Sequence, residues 1–150
     1  MKMTFHVEGL SELDEALKEL PKATARNVLL RTLKDSSGPM IDAAKASAPK
    51  RKGGLIKSID VSTKLSRRQR SMNRKESPVE VYIGPSPHPK GVQQEFGNAH
   101  HHAQSFMRPA WDGTVQIVLS SIRDKLANEI DKAVARLARK AARLAAKMKA

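Results

Sequence analysis

The segment Lys90–Trp111, KGVQQEFGNAHHHAQSFMRPAW, decides how the chain is read. It holds the only Trp, two of the three Phe and a run of three His. In Gln94-Glu95-Phe96-Gly97 an apolar side chain is followed at once by the residue that lets the backbone take positive φ and reverse. After a polar stretch, Phe106 and Met107 supply a second apolar anchor. Pro109 then has the fixed φ suited to a first helical turn. The segment predicts a loop pinned at both ends by aromatic side chains and feeding a helix that starts at Pro109.

Downstream of Pro109 the pattern stays helical. Val115, Val118, Ile122, Leu126, Ile130, Val134, Leu137, Ala141 and Leu144 track one face, while Lys132, Arg136, Arg139, Lys140, Arg143 and Lys147 lie on the others. The far end is mostly Ala, Lys and Arg, good helix formers with little apolar area to bury. A packed helix to about Asp131 and a frayable basic extension over 132–150 are expected.

Upstream, Ile59, Val61, Thr63 and Leu65 alternate with polar residues, as do Val79, Val81 and Ile83, the signal of half-buried strands. They predict an antiparallel pair. The polar, basic stretch between them, about 64–78, reads as a long hairpin loop that is disordered in the isolated protein. Lys50-Arg51-Lys52-Gly53-Gly54 reads as a flexible basic hinge. Earlier still, Met3, Phe5 and Val7 alternate as a strand that Gly9 ends. Ser11 with Asp14 looks like a capping box opening a short helix, with Leu10, Leu13, Leu17 and Leu20 as its stripe. Its acids, Glu12, Glu15 and Glu19, read as a solvated face. Pro21 starts a second helix. Gly38-Pro39 interrupts it, giving a kink or two abutting helices, and Pro49 closes the run. The fold class expected is α+β: one domain over 1–131, a small antiparallel sheet packed against helices, with a long C-terminal helix.

Composition sets the outer limits. At 150 residues one domain can bury a real core, but aromatics are only 3%, so that core rests on Leu, Ile, Val and Ala. The lack of Cys excludes disulfides, thiolate metal sites and a Cys nucleophile. No apolar run approaches the roughly 20 residues of a membrane span, and the N-terminus lacks the apolar core of a signal peptide. The formal charge of +13 is uneven. Lys50 to Lys75 carries ten Lys or Arg against the single acid Asp60, and after Asp131 only basic charges occur. Such a balance predicts an acidic partner.

Three motifs in order carry a family resemblance. Ala48-Pro49 is followed by Gly54-Leu55 and Ser58-Ile59. Val81-Tyr82-Ile83-Gly84 forms a strand-like run. Glu95-Phe96-Gly97 then leads, after a gap, to Phe106-Met107-Arg108-Pro109-Ala110-Trp111. Together they resemble the "gene product ten-like" neck and tail-completion proteins of long-tailed, lambdoid bacteriophages, over about Val7 to Ile130. The family pattern has Thr where Asn98 stands and Pro where Ser105 stands.

The resemblance implies a structural virion protein of the phage neck, joining head to tail or completing and terminating the tail. It implies a homo-oligomeric ring, a hexamer, around the DNA channel, assembled in the bacterial cytoplasm and located at the head–tail interface. Partners would be other neck, connector and tail-tube proteins, with non-specific contact to genomic DNA in the channel and no membrane. Glu95 would do structural work, binding backbone amides or meeting a neighbouring subunit. The candidate subunit contacts are Lys50, Arg51, Lys52, Arg67, Arg68 and Arg70 on the basic arm. On the loop they are Glu95, Phe96, Gly97, Phe106, Arg108 and Pro109. Phe106 and Trp111 are alternatively core residues.

The competing chemistries are weaker. His100 and His102 share a side if extended, but neighbours in sequence rarely converge on one ion, and further ligands would have to come from His88 or Glu95. A polar loop is the plainer reading, so no metal or cofactor is expected. Glu95 beside the His run is the only acid near a base in this stretch, and no Gly-rich phosphate loop, GxSxG or HExxH occurs, so no enzyme is expected. The main rival is a basic, sequence-independent nucleic-acid-binding protein. Against it, both basic stretches lack base-stacking aromatics, and no helix-turn-helix or zinc finger is legible. A surface-lying membrane helix over 132–150 has too Ala-heavy a face.

Overall fold

The computed structural model describes residues 9–50, 53–86 and 88–149. The strand expected at Met3–Val7 lies outside them, as do Arg51 and Lys52. The elements run α1 (Leu10–Lys18), α2 (Lys22–Ser36), α3 (Gly38–Ser47), α4 (Gly54–Ser58), β1 (Ile59–Ser62), α5 (Arg67–Met72), β2 (Tyr82–Pro85), α6 (Pro89–Phe96) and α7 (Met107–Lys149). The chain is α+β, with a two-stranded antiparallel sheet set among helices and a C-terminal helix that spans 43 residues. At 1.5 Å per residue that helix is about 65 Å long.

Helices α1, α2 and α3 pack along α7. Near its start, Phe106 and Ala110 join Ile41, Ala44 and Ala48 of the α3 segment, Leu55 of α4 and Ile59 of β1 in one core. Farther along, Leu126, Ile130 and Ala133 meet Leu17 and Leu20 of the α1 segment and Val28 of α2 in a second. Polar ties fix the direction of α2 against α7. Ser121 Oγ donates to Ser36 Oγ at 3.3 Å, Lys125 Nζ to the Asp35 carbonyl at 2.5 Å, and Arg31 pairs with Glu129. As the α2 number falls the α7 number rises, so the two helices are antiparallel. The Arg31 and Lys132 charges on Glu129 hold its carboxyl below the usual range, the Lys132 bond contributing most.

The helix break falls where Pro39 requires it. α2 ends at Ser36, and Pro39 sits in the first turn of α3, where a missing N–H costs nothing. These are two abutting helices rather than one kinked helix. At α1 the expected capping box does not form. Gly9, at φ 83°, is the N-cap, and Ser11 Oγ instead donates to Glu12 Oε2.

The sheet is shorter than the alternation suggested. Ile59 pairs with Pro85 and Val61 with Ile83, and Thr63, Leu65, Val79 and Val81 stay outside it. The intervening stretch is not the disordered loop expected. It contains α5, opened by a capping box in which Ser66 Oγ accepts the Gln69 N–H and Gln69 Oε1 accepts the Ser66 N–H. The return leg is held by Glu80, whose carboxylate accepts the Glu76 and Ser77 N–H groups at 2.7 and 3.1 Å and the Tyr82 hydroxyl. The Tyr82 bond, then those two N–H bonds, lower the Glu80 pKa, while Tyr82 is raised in return.

The α2–α7 seam carries one uncompensated group. Thr32 is 1% exposed and its hydroxyl has no partner, a penalty of about 1–3 kcal/mol for a buried unsatisfied group. Thr32→Val keeps the shape and removes the hydroxyl. It is expected to stabilise the protein by about 1 kcal/mol, raising Tm by roughly 2–4 °C for a chain of this size. Thermal and urea unfolding check this; a destabilised variant would contradict it.

Candidate functional site

The informative segment folds as a helix, a tight loop and a second helix, and not as a loop throughout. Pro89 lies in the first turn of α6, which ends at Phe96, and Gly97 turns the chain at φ 74°. The turn requires glycine twice over. Positive φ strains any L side chain, and a Cβ there would lie 2.8 Å from the Ala103 nitrogen and 2.9 Å from the His101 oxygen. Gly91 is needed for a different reason, since a Cβ on it would lie 2.7 Å from Pro85 Cγ, where α6 crosses the end of β2.

The loop doubles back on α6 and uses up its last carbonyls. Gly97 N–H donates to Gln93 O at 2.8 Å, Gln104 N–H to Gln94 O at 2.7 Å and Ser105 Oγ to Glu95 O at 2.8 Å. At the tip, Asn98 and His101 exchange backbone bonds of 2.8 and 3.3 Å, and Asn98 Oδ1 accepts the His100 N–H at 2.8 Å. Asn98 and Ser105 are thus both employed in holding the loop.

Glu95 closes the arrangement. Its Oε2 accepts the N–H groups of Phe106 and Met107, each at 2.9 Å, and its Oε1 accepts that of Arg108 at 3.1 Å. The first N–H groups of a helix have no partner within it. Here one carboxylate takes three, and the next residue, Pro109, has none to offer. The helix dipole favours the negative charge at this end. Glu95 is only 8% exposed. That burial by itself would raise its pKa, but the three N–H bonds and the Arg108 charge outweigh it and hold the carboxyl below its ordinary value of 4.5. With both oxygens committed in this way, Glu95 is poorly suited to general-base work.

The two aromatics expected to pin the loop divide. Phe106 is fully buried and serves the core, so it is not a contact surface for a partner. Phe96 is 67% exposed and pins nothing, because the anchor at this end is the carboxylate beside it. Trp111 is half-buried, not a core residue. α7 begins at Met107, two residues before the expected Pro109. Val92, also 67% exposed, stands one helical turn before Phe96, so α6 shows solvent an apolar pair on a rigidly held face.

The other candidates are placed as follows. Arg108 and Pro109 are exposed beside Glu95, so Glu95, Gly97, Phe106, Arg108 and Pro109 form one cluster. Lys50 is exposed after α3, and Arg67, Arg68 and Arg70 are exposed on α5. A groove of about 480 Å³ along the sheet, bordered by Lys57, Lys64, Gln69 and Tyr82, belongs to this second, basic region. His100 and His102 are exposed, while His101 Nε2 lies 3.2 Å from Gln94 Oε1. Among the described residues, no group of three or more His, Cys, Asp or Glu is placed to hold a metal. Among them, too, no helix is long and apolar enough to cross a membrane. The chain matches no protein-family model, no curated protein and no solved structure.

Glu95→Ala leaves three helix-terminal N–H groups without an acceptor. It is expected to cost about 3 kcal/mol in urea unfolding, with Glu95→Gln losing less because one acceptor oxygen survives. The pKa of Glu95 is lower folded than unfolded, so its contribution is complete above pH 4.5 and fades as pH falls below it. Stability of the wild type is therefore expected to drop more steeply below pH 4.5 than that of Glu95→Gln. Parallel acid profiles would contradict the capping role.

Proposed function

We propose that this chain is a structural protein of a bacteriophage neck, joining head to tail or completing the tail, and that it works as a ring around the DNA channel. The supporting observation is the α6 face. Val92 and Phe96 are large, exposed and apolar, and they stand on a helix whose end is fixed by the Glu95 bonds. A monomer gains nothing from exposing such a pair on a rigid mount, whereas aromatic anchors on prepared surfaces are what subunit contacts use. A closed ring needs two different patches on each subunit. In this reading the α6 face with Arg108 and Pro109 is one, and the basic region around α5 belongs to the other. The motif order Ala-Pro, Gly-Leu, Glu-Phe-Gly and Phe-Met-Arg-Pro supports the same assignment. Its role is assembly, with no reaction and no cofactor, located at the head–tail joint.

The double substitution Val92→Ser/Phe96→Ser separates assembly from folding. Both side chains are exposed, so thermal stability should stay within about 0.5 kcal/mol of wild type. Native mass measurement should find wild-type rings, alone or on addition of neck components, and a monomeric variant. A wild type that stays monomeric in every mixture, or a variant that assembles as well as wild type, would sink the proposal.

A further inference from the structure

The distal third of α7 does something the proximal part does not. Core contacts along α7 end with Ala133 and, partly buried, Leu137; from 138 to 148 every side chain is exposed. Lys132, Arg136, Arg139, Arg143 and Lys147 are spaced by three or four residues, and Lys140 directly follows Arg139. At 3.6 residues per turn they fall within about a third of the circumference, and at 1.5 Å per residue they form a stripe about 22 Å long. Lys132 is tied to Glu129 at 3.1 Å. The other five have no ion-pair partner among the described residues, and no Asp or Glu follows Asp131 in the chain.

This arrangement is unfavourable in isolation. Arg136 with Lys140, Arg139 with Arg143 and Arg143 with Lys147 are like charges four residues apart, and each such pair destabilises a helix. Only the last turn is relieved by the helix dipole. The interaction that turns the stripe from a cost into a gain is with a polyanion whose charges recur along a line.

We infer that the distal α7 stripe binds the phosphodiester backbone of double-stranded nucleic acid without regard to sequence. Cations that recur along one face over this length suit a run of phosphates. The stripe has no apolar centre, whereas the buried centres of protein interfaces are depleted in Lys. No aromatic side chain occurs between 132 and 150 to stack an unpaired base, so a single strand gains nothing over a duplex. The opposite face, Ala141, Leu144, Ala145 and Met148, offers a lipid surface only two large side chains. The inference rests on the charge pattern and holds whether or not the chain closes into a ring.

The test is fluorescence anisotropy of a labelled mixed-sequence DNA duplex titrated with full-length protein across a KCl series. Wild type should bind with log K falling steeply against log salt. The quadruple variant Arg136→Gln/Arg139→Gln/Lys140→Gln/Arg143→Gln keeps helix-forming residues. It should bind at least tenfold more weakly at low salt, with a slope shallower by about three to four. Circular dichroism should show it no less helical than wild type. Three outcomes would overturn the inference: no duplex binding by wild type, unchanged slope and affinity in the quadruple variant, or binding to phosphatidylserine vesicles without duplex binding. Equal loss from Leu144→Ser/Met148→Ser would also overturn it, by placing the contact on the apolar face.

Discussion

One carboxylate sets the geometry of this molecule. A helix that starts in a partly buried position leaves several N–H groups without partners, and each unpaired group is expensive. Glu95 supplies acceptors for three of them from the last turn of the preceding helix, across eleven to thirteen residues of sequence. The same reversal satisfies the carbonyls at the end of α6 through Gly97, Gln104 and Ser105. Two helix ends therefore solve each other's bonding problem. The result is a fixed relation between α6 and the 43-residue helix on which α1, α2 and α3 pack.

That relation sorts the neighbouring side chains. Phe106, adjacent to the cap, is driven into the core beside Ile41 and Ile59. Phe96, adjacent to Glu95 in the chain, is turned outward, because a helical residue cannot follow its neighbour to the same face. The pair Glu95-Phe96 thus divides into a part that holds the fold and a part held out to solvent. α7 divides similarly along its length. Its first two thirds bury an apolar stripe against α1, α2 and α3, and its last third carries cations with no ion-pair partner among the described residues.

Much of this was legible in the sequence, and the failures have specific causes. The α+β class, the break at Gly38-Pro39, the antiparallel strand pair and the stripe of α7 all followed from periodicity and from Pro chemistry, which act locally. The missed helices lie where local signals compete. In α6 the reversal signalled by Gly97 suggested a loop, yet Pro89 and Gly97 frame it in the manner of a helix start and stop. In α5 the basic run masked a Ser66-x-x-Gln69 capping box that was available to be read. The capping box expected at Ser11 failed because Gly9 caps the helix two residues sooner. Glu95 as a cap for residues eleven or more positions away was not readable from spacing. It depends on the reversal at Gly97, which only the folded loop defines.

The central claim is that the Glu95 carboxylate, more than aromatic pinning, holds the start of α7 in place. Amide hydrogen exchange at Phe106, Met107 and Arg108, followed by NMR in wild type and Glu95→Gln, tests it directly. The account predicts protected amides in the wild type and faster exchange at those three positions in the variant, with the mid-helix amides of Val118 and Leu126 unchanged. Rapid exchange at all three positions in the wild type, or equal protection in both proteins, would contradict it.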